Sequence, residues 1–174
     1  MVRRIHHPGK KQHRKERLHE INVFRDVERK GLLTRSPQSM LGISDNQLGN
    51  MFRSAWTLLD LHEASDAVKA FSLLCHIHPY VPDFWYGLGK SQRENEELQE
   101  AVNSFCMAET IDPSRFEFYE DAIECCLEMG KKKEALKILK RLSSRRRLVD
   151  GFEKRVVEFH RLQERIAQAE STSH

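Results

Sequence analysis

Small, apolar and helix-breaking residues recur along this chain with a period of 34. Ala67, Ala101 and Ala135 share one register position. Phe71, Phe105 and Leu139 follow four residues on, Leu74, Ala108 and Leu142 three after that, and Pro79 and Pro113 close the first two units. Apolar residues four and three apart share one face of a helix, so each period holds helices and not strands. The pattern predicts three helix pairs, at about 45–61 and 64–76, 83–94 and 98–110, and 115–129 and 132–143. Ser44 with Gln47 three residues later predicts a capping box at the first helix, and Asp45 suits the positive end of its dipole. Gly130 marks the turn inside the third pair. The first two pairs have Leu61-His62-Glu63 and Glu94-Asn95-Glu96-Glu97 there instead.

The flanks follow other patterns. Residues 1–14 lack apolar periodicity, contain Pro-Gly, and read as a disordered basic tail. Leu18, Ile21, Phe24 and Val27 then form a short amphipathic stripe ending at Gly31. Residues 15–41 read as a helix and loop, and as a candidate dimerisation segment, because a short apolar face is marginal alone. The repeats occupy 44–143. Beyond them, Phe152, Val156, Phe159, Leu162 and Ile166 predict a helix within 144–170. Arg155, Glu158, Arg161, Glu164 and Arg165 give it a polar face, as the cap of a repeat array requires. Residues 171–174 read as frayed.

A 34-residue helix-pair repeat of this composition resembles the tetratricopeptide repeat. The fold class is therefore all-α: three such repeats in a short right-handed solenoid, with an N-terminal amphipathic helix and a C-terminal capping helix. Three stretches narrow the resemblance. They are Leu41-Gly42-Ile43-Ser44-Asp45 with Leu48, Phe52 and Ala55; Leu74-Cys75, Pro79-Tyr80 and Phe84-Trp85-Tyr86-Gly87-Leu88-Gly89; and Phe118, Ala122, Glu124, Cys125, Leu127 and Gly130 with Glu134-Ala135. Together they resemble the SycD/LcrH-like class II chaperones of bacterial type III secretion, over about residues 20–143. The resemblance implies a cytoplasmic, non-enzymatic protein, a possible homodimer. Its groove would keep an extended segment of a hydrophobic translocator soluble. A tetratricopeptide adaptor, or a co-chaperone of the secretion needle subunit, is the competing role on the same fold. The glycine-free turns, and Lys90 and Arg93 in a groove that is often tyrosine-rich in that family, leave the client open.

The same resemblance places the groove on the first helix of each repeat. Repeat one would offer Phe52, Trp56 and Leu59, repeat two Tyr86, Lys90 and Arg93, and repeat three Glu117, Glu120 and Glu124, with Leu127 and Glu128 beyond. The groove would run from aromatic through basic to acidic, suited to apolar anchors at one end and Lys or Arg at the other. The alternative for Phe52 and Trp56 is that they are simply core, and the glutamates read equally as a solvated face.

Charge changes this picture little. The net charge is +3, but residues 1–20 carry seven Lys/Arg against two Glu, whereas residues 46–143 carry eleven against sixteen Asp/Glu. The basic tail reads first as a solubilising arm that touches anionic surfaces weakly. Nucleic acid is not expected, because no aromatic residue interleaves its charges to stack bases. His6-His7 and His76-x-His78 lack the further ligands of a zinc site, so no metal or cofactor is expected. Cys75, Cys106, Cys125 and Cys126 form no CxxC and read as reduced core thiols. No secretory signal or membrane span is legible. No phosphate-binding loop or nucleophile elbow is present, and catalysis has no support.

Overall fold

The computed structural model describes residues 37–171, and side chains through residue 168. The expectations for residues 1–36, the basic tail and the amphipathic stripe, lie outside the described residues. The chain divides into two compact units at Ile43/Ser44. Of the first unit, residues 37–43 are described: one helical turn, Pro37–Met40, closed by Gly42 at φ +66°.

The second unit is a run of helices, with no strand among the described residues. They are α1 (Asp45–Asp60), α2 (Ala64–Ile77), α3 (Pro82–Glu94), α4 (Leu98–Ile111), α5 (Phe116–Glu128) and α6 (Lys132–Arg145). A 3-10 turn (Phe152–Arg155) then leads into α7 (Val156–Ser171). Each helix packs against the next, and α7 returns onto α5 and α6. The array is a tetratricopeptide-like solenoid of three helix pairs and a terminal helix.

Local chemistry sets the boundaries. The capping box forms as expected: Ser44 N donates to Gln47 Oε1 at 2.8 Å and Gln47 N to Ser44 Oγ at 3.2 Å. Pro82 sits in the first turn of α3, where a missing N–H costs nothing. The three first helices end in the same way. Glu63 N reaches Leu58 O at 2.9 Å, Glu97 N reaches Gln92 O at 2.8 Å, and Lys131 N reaches Cys126 O at 2.8 Å. These are Schellman closures, which need a left-handed residue just before the donor. That residue is His62 (φ 62°), Glu96 (φ 64°) and Gly130 (φ 69°), at a spacing of 34. The glycine-free turns are thus the same turn, formed at some backbone strain.

The register positions read from the sequence form the core. Ala67, Ala101, Ala135, Phe71, Phe105, Ala108 and Leu142 are fully buried, with Leu74 and Leu139 nearly so. A second lock also repeats: Trp85 Nε1 donates to Pro79 O at 2.7 Å, and Tyr119 Oη to Pro113 O at 3.1 Å. Each bond ties the loop before a first helix to that helix. After α6 the chain turns at Gly151, buries Val149, and Asp150 N donates back to Ser114 O at 2.8 Å. Leu162 and Ile166 of α7 are buried, while Val156 is exposed and lies off the apolar face.

Candidate functional site

The first helices α1, α3 and α5 form one wall, and an aromatic line runs along it. Trp56 of α1 lies 6.4 Å from Tyr86 of α3, and Tyr86 lies 5.2 Å from Phe118 of α5, measured between ring centroids. Behind it, Trp56 packs edge-on against Phe71 at 5.2 Å and Phe52 at 6.2 Å. Phe52 and Leu59 are buried, whereas Trp56 and Tyr86 are half-buried. Phe52 therefore supports the line, in contact with Phe71 and Phe84, and Trp56 and Tyr86 keep part of their surface.

Cations stand over this line. Lys90 Nζ is 5.4 Å from the Tyr86 ring centroid, and the Arg115 guanidinium is 5.6 Å from Tyr86 and 4.4 Å from Phe118. Each is held by a carboxylate across the boundary between α3 and α5. Lys90 Nζ donates to Asp121 Oδ1 at 2.7 Å, and Arg93 Nη1 to the same oxygen at 3.3 Å. Arg93 also pairs with Glu128. Arg115, just before α5, reaches back to Asp83 Oδ1 at 2.5 Å and forward to Glu117 Oε1 at 2.8 Å. Asp83 and Asp121 are buried, so these pairs lie largely out of water, where removing one partner is costly.

The proton affinities follow. Burial pushes the Tyr86 phenol up, and the Asp121 carboxylate facing it pushes the same way. Burial works against the Arg115 charge, but Asp83 and Glu117 together overcome it and raise its pKa. Burial also raises Glu120, helped by the nearby charges of Asp121, Glu124 and Glu158. Glu124 pairs with Arg165 of α7. The acidic end of the wall is thereby partly engaged by the terminal helix.

The structure therefore brings all nine expected residues onto α1, α3 and α5, but Phe52 and Leu59 are buried in the core and do not line a groove. Lys90 and Arg93 do not form a free basic zone, because Asp121 and Glu128 hold them. Glu117 and Glu124 do not form a free acidic zone, because Arg115 and Arg165 hold them. Sequence reading passed over Asp83, Arg115, Phe118 and Asp121 as site residues. A signal existed: Asp83 and Arg115 lie 32 residues apart, close to one repeat, as do Glu109 and Arg141 on the second helices. Opposite charges offset by nearly one period become neighbours in a stacked array.

No protein-family model matches the chain. Over 93 residues the chain is 28% identical to the low calcium response locus protein H of Yersinia pestis, covering 53% of this chain and 55% of that protein. The chain thus spans about half the length of the curated relatives it matches. Among solved structures it is similar to the Yersinia enterocolitica type III secretion chaperone SycD in complex with a peptide of the translocator YopD. The TM-score is 0.63 at 22% identity, over 76% of this chain and 98% of that one. It is similar also to PcrH in complex with the chaperone binding region of PopD, with a TM-score of 0.66 at 19% identity, over 74% of this chain and 97% of that one. The fold is that of the type III secretion translocator chaperones. Among the described residues, no helix is long and apolar enough to cross a membrane, and no cluster of His, Cys, Asp and Glu is grouped to hold a metal ion.

Proposed function

We propose that this protein is a cytoplasmic binding chaperone, not an enzyme, and that it holds an extended segment of a hydrophobic type III secretion translocator along the wall of α1, α3 and α5. The observation that carries this reading is the aromatic line Trp56–Tyr86–Phe118 on the first helices of a fold shared with chaperones solved with translocator peptides. The half-buried rings of Trp56 and Tyr86 offer apolar anchorage with little side-chain entropy to lose, and the fully buried Phe118 backs Tyr86. The held cations and carboxylates rigidify the wall between those rings. The N-terminal segment 15–41 contributes to a homodimer in this reading, with SycD, which has been solved as an alternative dimer, as the parallel.

The test is co-expression with the secreted proteins encoded beside it. A soluble complex with a protein carrying long apolar segments, weakened by Trp56→Ala and Tyr86→Ala, is the expected result. Complex formation with only a short helical needle-type subunit would favour the adaptor or co-chaperone role instead.

A further inference from the structure

The charge of the chain reverses at the third repeat. Residues 37–130 carry five Lys/Arg against sixteen Asp/Glu, and residues 131–147 carry nine Lys/Arg against Glu134 alone. Some of the nine have structural duties. Arg141 donates to both oxygens of buried Glu109 at 2.8 Å, Arg145 Nη1 reaches the same carboxylate at 3.1 Å, and Lys131 Nζ donates to Gln99 Oε1 at 2.5 Å. Five others do not. Lys133, Lys137 and Lys140 are exposed on α6 at spacings of four and three, a single stripe on one helix face. Arg146 and Arg147 are exposed in the turn that follows. No ion pair holds any of these five among the described residues, whereas Lys90, Arg93, Arg115, Arg141 and Arg145 are all held in pairs between helices.

Like charges one turn apart weaken a helix, so folding does not account for the stripe. The basic run leads directly into Leu148, which is 57% exposed. Basic residues with an exposed aliphatic side chain beside them in the chain suit a surface that is anionic outside and apolar beneath. A nucleic acid fits less well, because no exposed aromatic residue accompanies the charges to stack on bases.

We propose that α6 and the turn after it are a peripheral docking surface for an anionic lipid bilayer. Lys133, Lys137, Lys140, Arg146 and Arg147 meet the headgroup phosphates, and Leu148 enters the interface. Because α6 is a second helix, this surface is separate from the α1, α3 and α5 wall, and the inference stands whether or not that wall binds a translocator. Each basic residue near an anionic leaflet strengthens binding about fivefold.

The test is sedimentation of the full chain with vesicles of phosphatidylcholine alone, or with about 40% phosphatidylglycerol added to supply negative charge. Binding to the anionic vesicles only, lost when salt rises from about 0.1 to 0.5 M, is expected. The triple variant Lys133→Glu/Lys137→Glu/Lys140→Glu should bind at least about 100-fold more weakly, with unchanged thermal melting. Arg146→Glu/Arg147→Glu, outside the helix, is the second variant and should weaken binding in the same direction. Equal binding to neutral vesicles would overturn the proposal. So would full binding by both variants alongside loss of binding when the basic residues between positions 3 and 17 are neutralised, which would assign the attraction to the tail. Displacement of the vesicles by single-stranded RNA at lower concentration would overturn it in favour of a nucleic acid.

Discussion

Gly87 of α3 lies directly on the ring of Phe71 from α2, so close that a Cβ there would fall inside van der Waals contact with three ring carbons. Gly89 has the same relationship with Phe105 of α4, where a Cβ would stand 2.6 Å from Cε1. The Gly-Leu-Gly stretch thus lets one helix approach the helices on both sides, each through the aromatic residue four positions after a register alanine. Both rings are fully buried and cannot swing aside. Gly87→Ala should therefore destabilise the fold by about 2–3 kcal/mol despite the better helix propensity of alanine. Differential scanning calorimetry should show a fall in Tm of roughly 5–10 °C.

Glu96 holds a left-handed backbone at the turn where the third repeat has Gly130. Glycine adopts that conformation without a Cβ penalty. Glu96→Gly should raise stability by up to about 1 kcal/mol, and Glu96→Val should lower it by more. Urea denaturation of the two variants beside the parent checks the sign, and equal midpoints would remove strain at this turn from the account.

The repeat frame was legible because its signal is local. Ala67, Ala101 and Ala135 and the residues four and seven beyond them each reflect helix-face periodicity, and all nine are buried. The turns at His62 and Glu96 were not legible, since Schellman closure depends on backbone hydrogen bonds and only Gly130 announces itself by residue type. The wall was half legible. Its helices and residues follow from the repeat, but what Lys90 and Arg93 do depends on Asp121, which lies one helix pair away. Treated one repeat at a time, those cations look free. Phe118 was passed over for the same reason: its ring meets Tyr86 only once the repeats are stacked.

Asp121 accepts from Lys90 and Arg93 and faces the Tyr86 hydroxyl. Asp121→Ala leaves two cations with one acceptor fewer in a largely buried place. The expected loss is about 1–3 kcal/mol, at the low end for a buried pair because both cations keep nearly a third of their surface in water. A double-mutant cycle with Lys90→Met measures the coupling directly, and an additive result would show that the pair contributes nothing.

Burial pushes the thiols of Cys75 and Cys125 up to about 12 and that of Cys126 up to about 11, from 9.0. A folded-state pKa above the unfolded value stabilises the protein fully below about pH 9. That contribution is then lost as pH rises through 11–12. Denaturant midpoints should therefore fall with pH above 9. At about pH 8, a thiol reagent should label the native protein slowly and all four cysteines quickly once urea is added. Fast native labelling of Cys75 or Cys125 would contradict their placement in the core.

Trp56 is where stability and the proposed binding separate. Its ring meets Phe52, Phe71 and Tyr86, yet it is only half-buried. A residue that is wholly core costs about 3–5 kcal/mol on truncation to alanine, and one that is wholly an exposed anchor costs stability almost nothing. Trp56→Ala should fall between, at about 2–3 kcal/mol, because the contacts with Phe52 and Phe71 disappear while part of the ring never left water. Its effect on client affinity should be larger than that loss explains. A hot-spot aromatic contributes about 2 kcal/mol or more, or roughly 30-fold in Kd, to a protein that is still folded at the assay temperature. Trp56→Phe separates the two effects, since it keeps the edge contact with Phe71 but shortens the surface facing outward. Melting close to that of the parent with clearly weaker binding is the expected result, read by calorimetry beside a peptide titration. If Trp56→Phe instead binds as the parent does while Trp56→Ala loses binding only in proportion to its unfolding, Trp56 is a supporting residue. The anchor role would then pass to Tyr86.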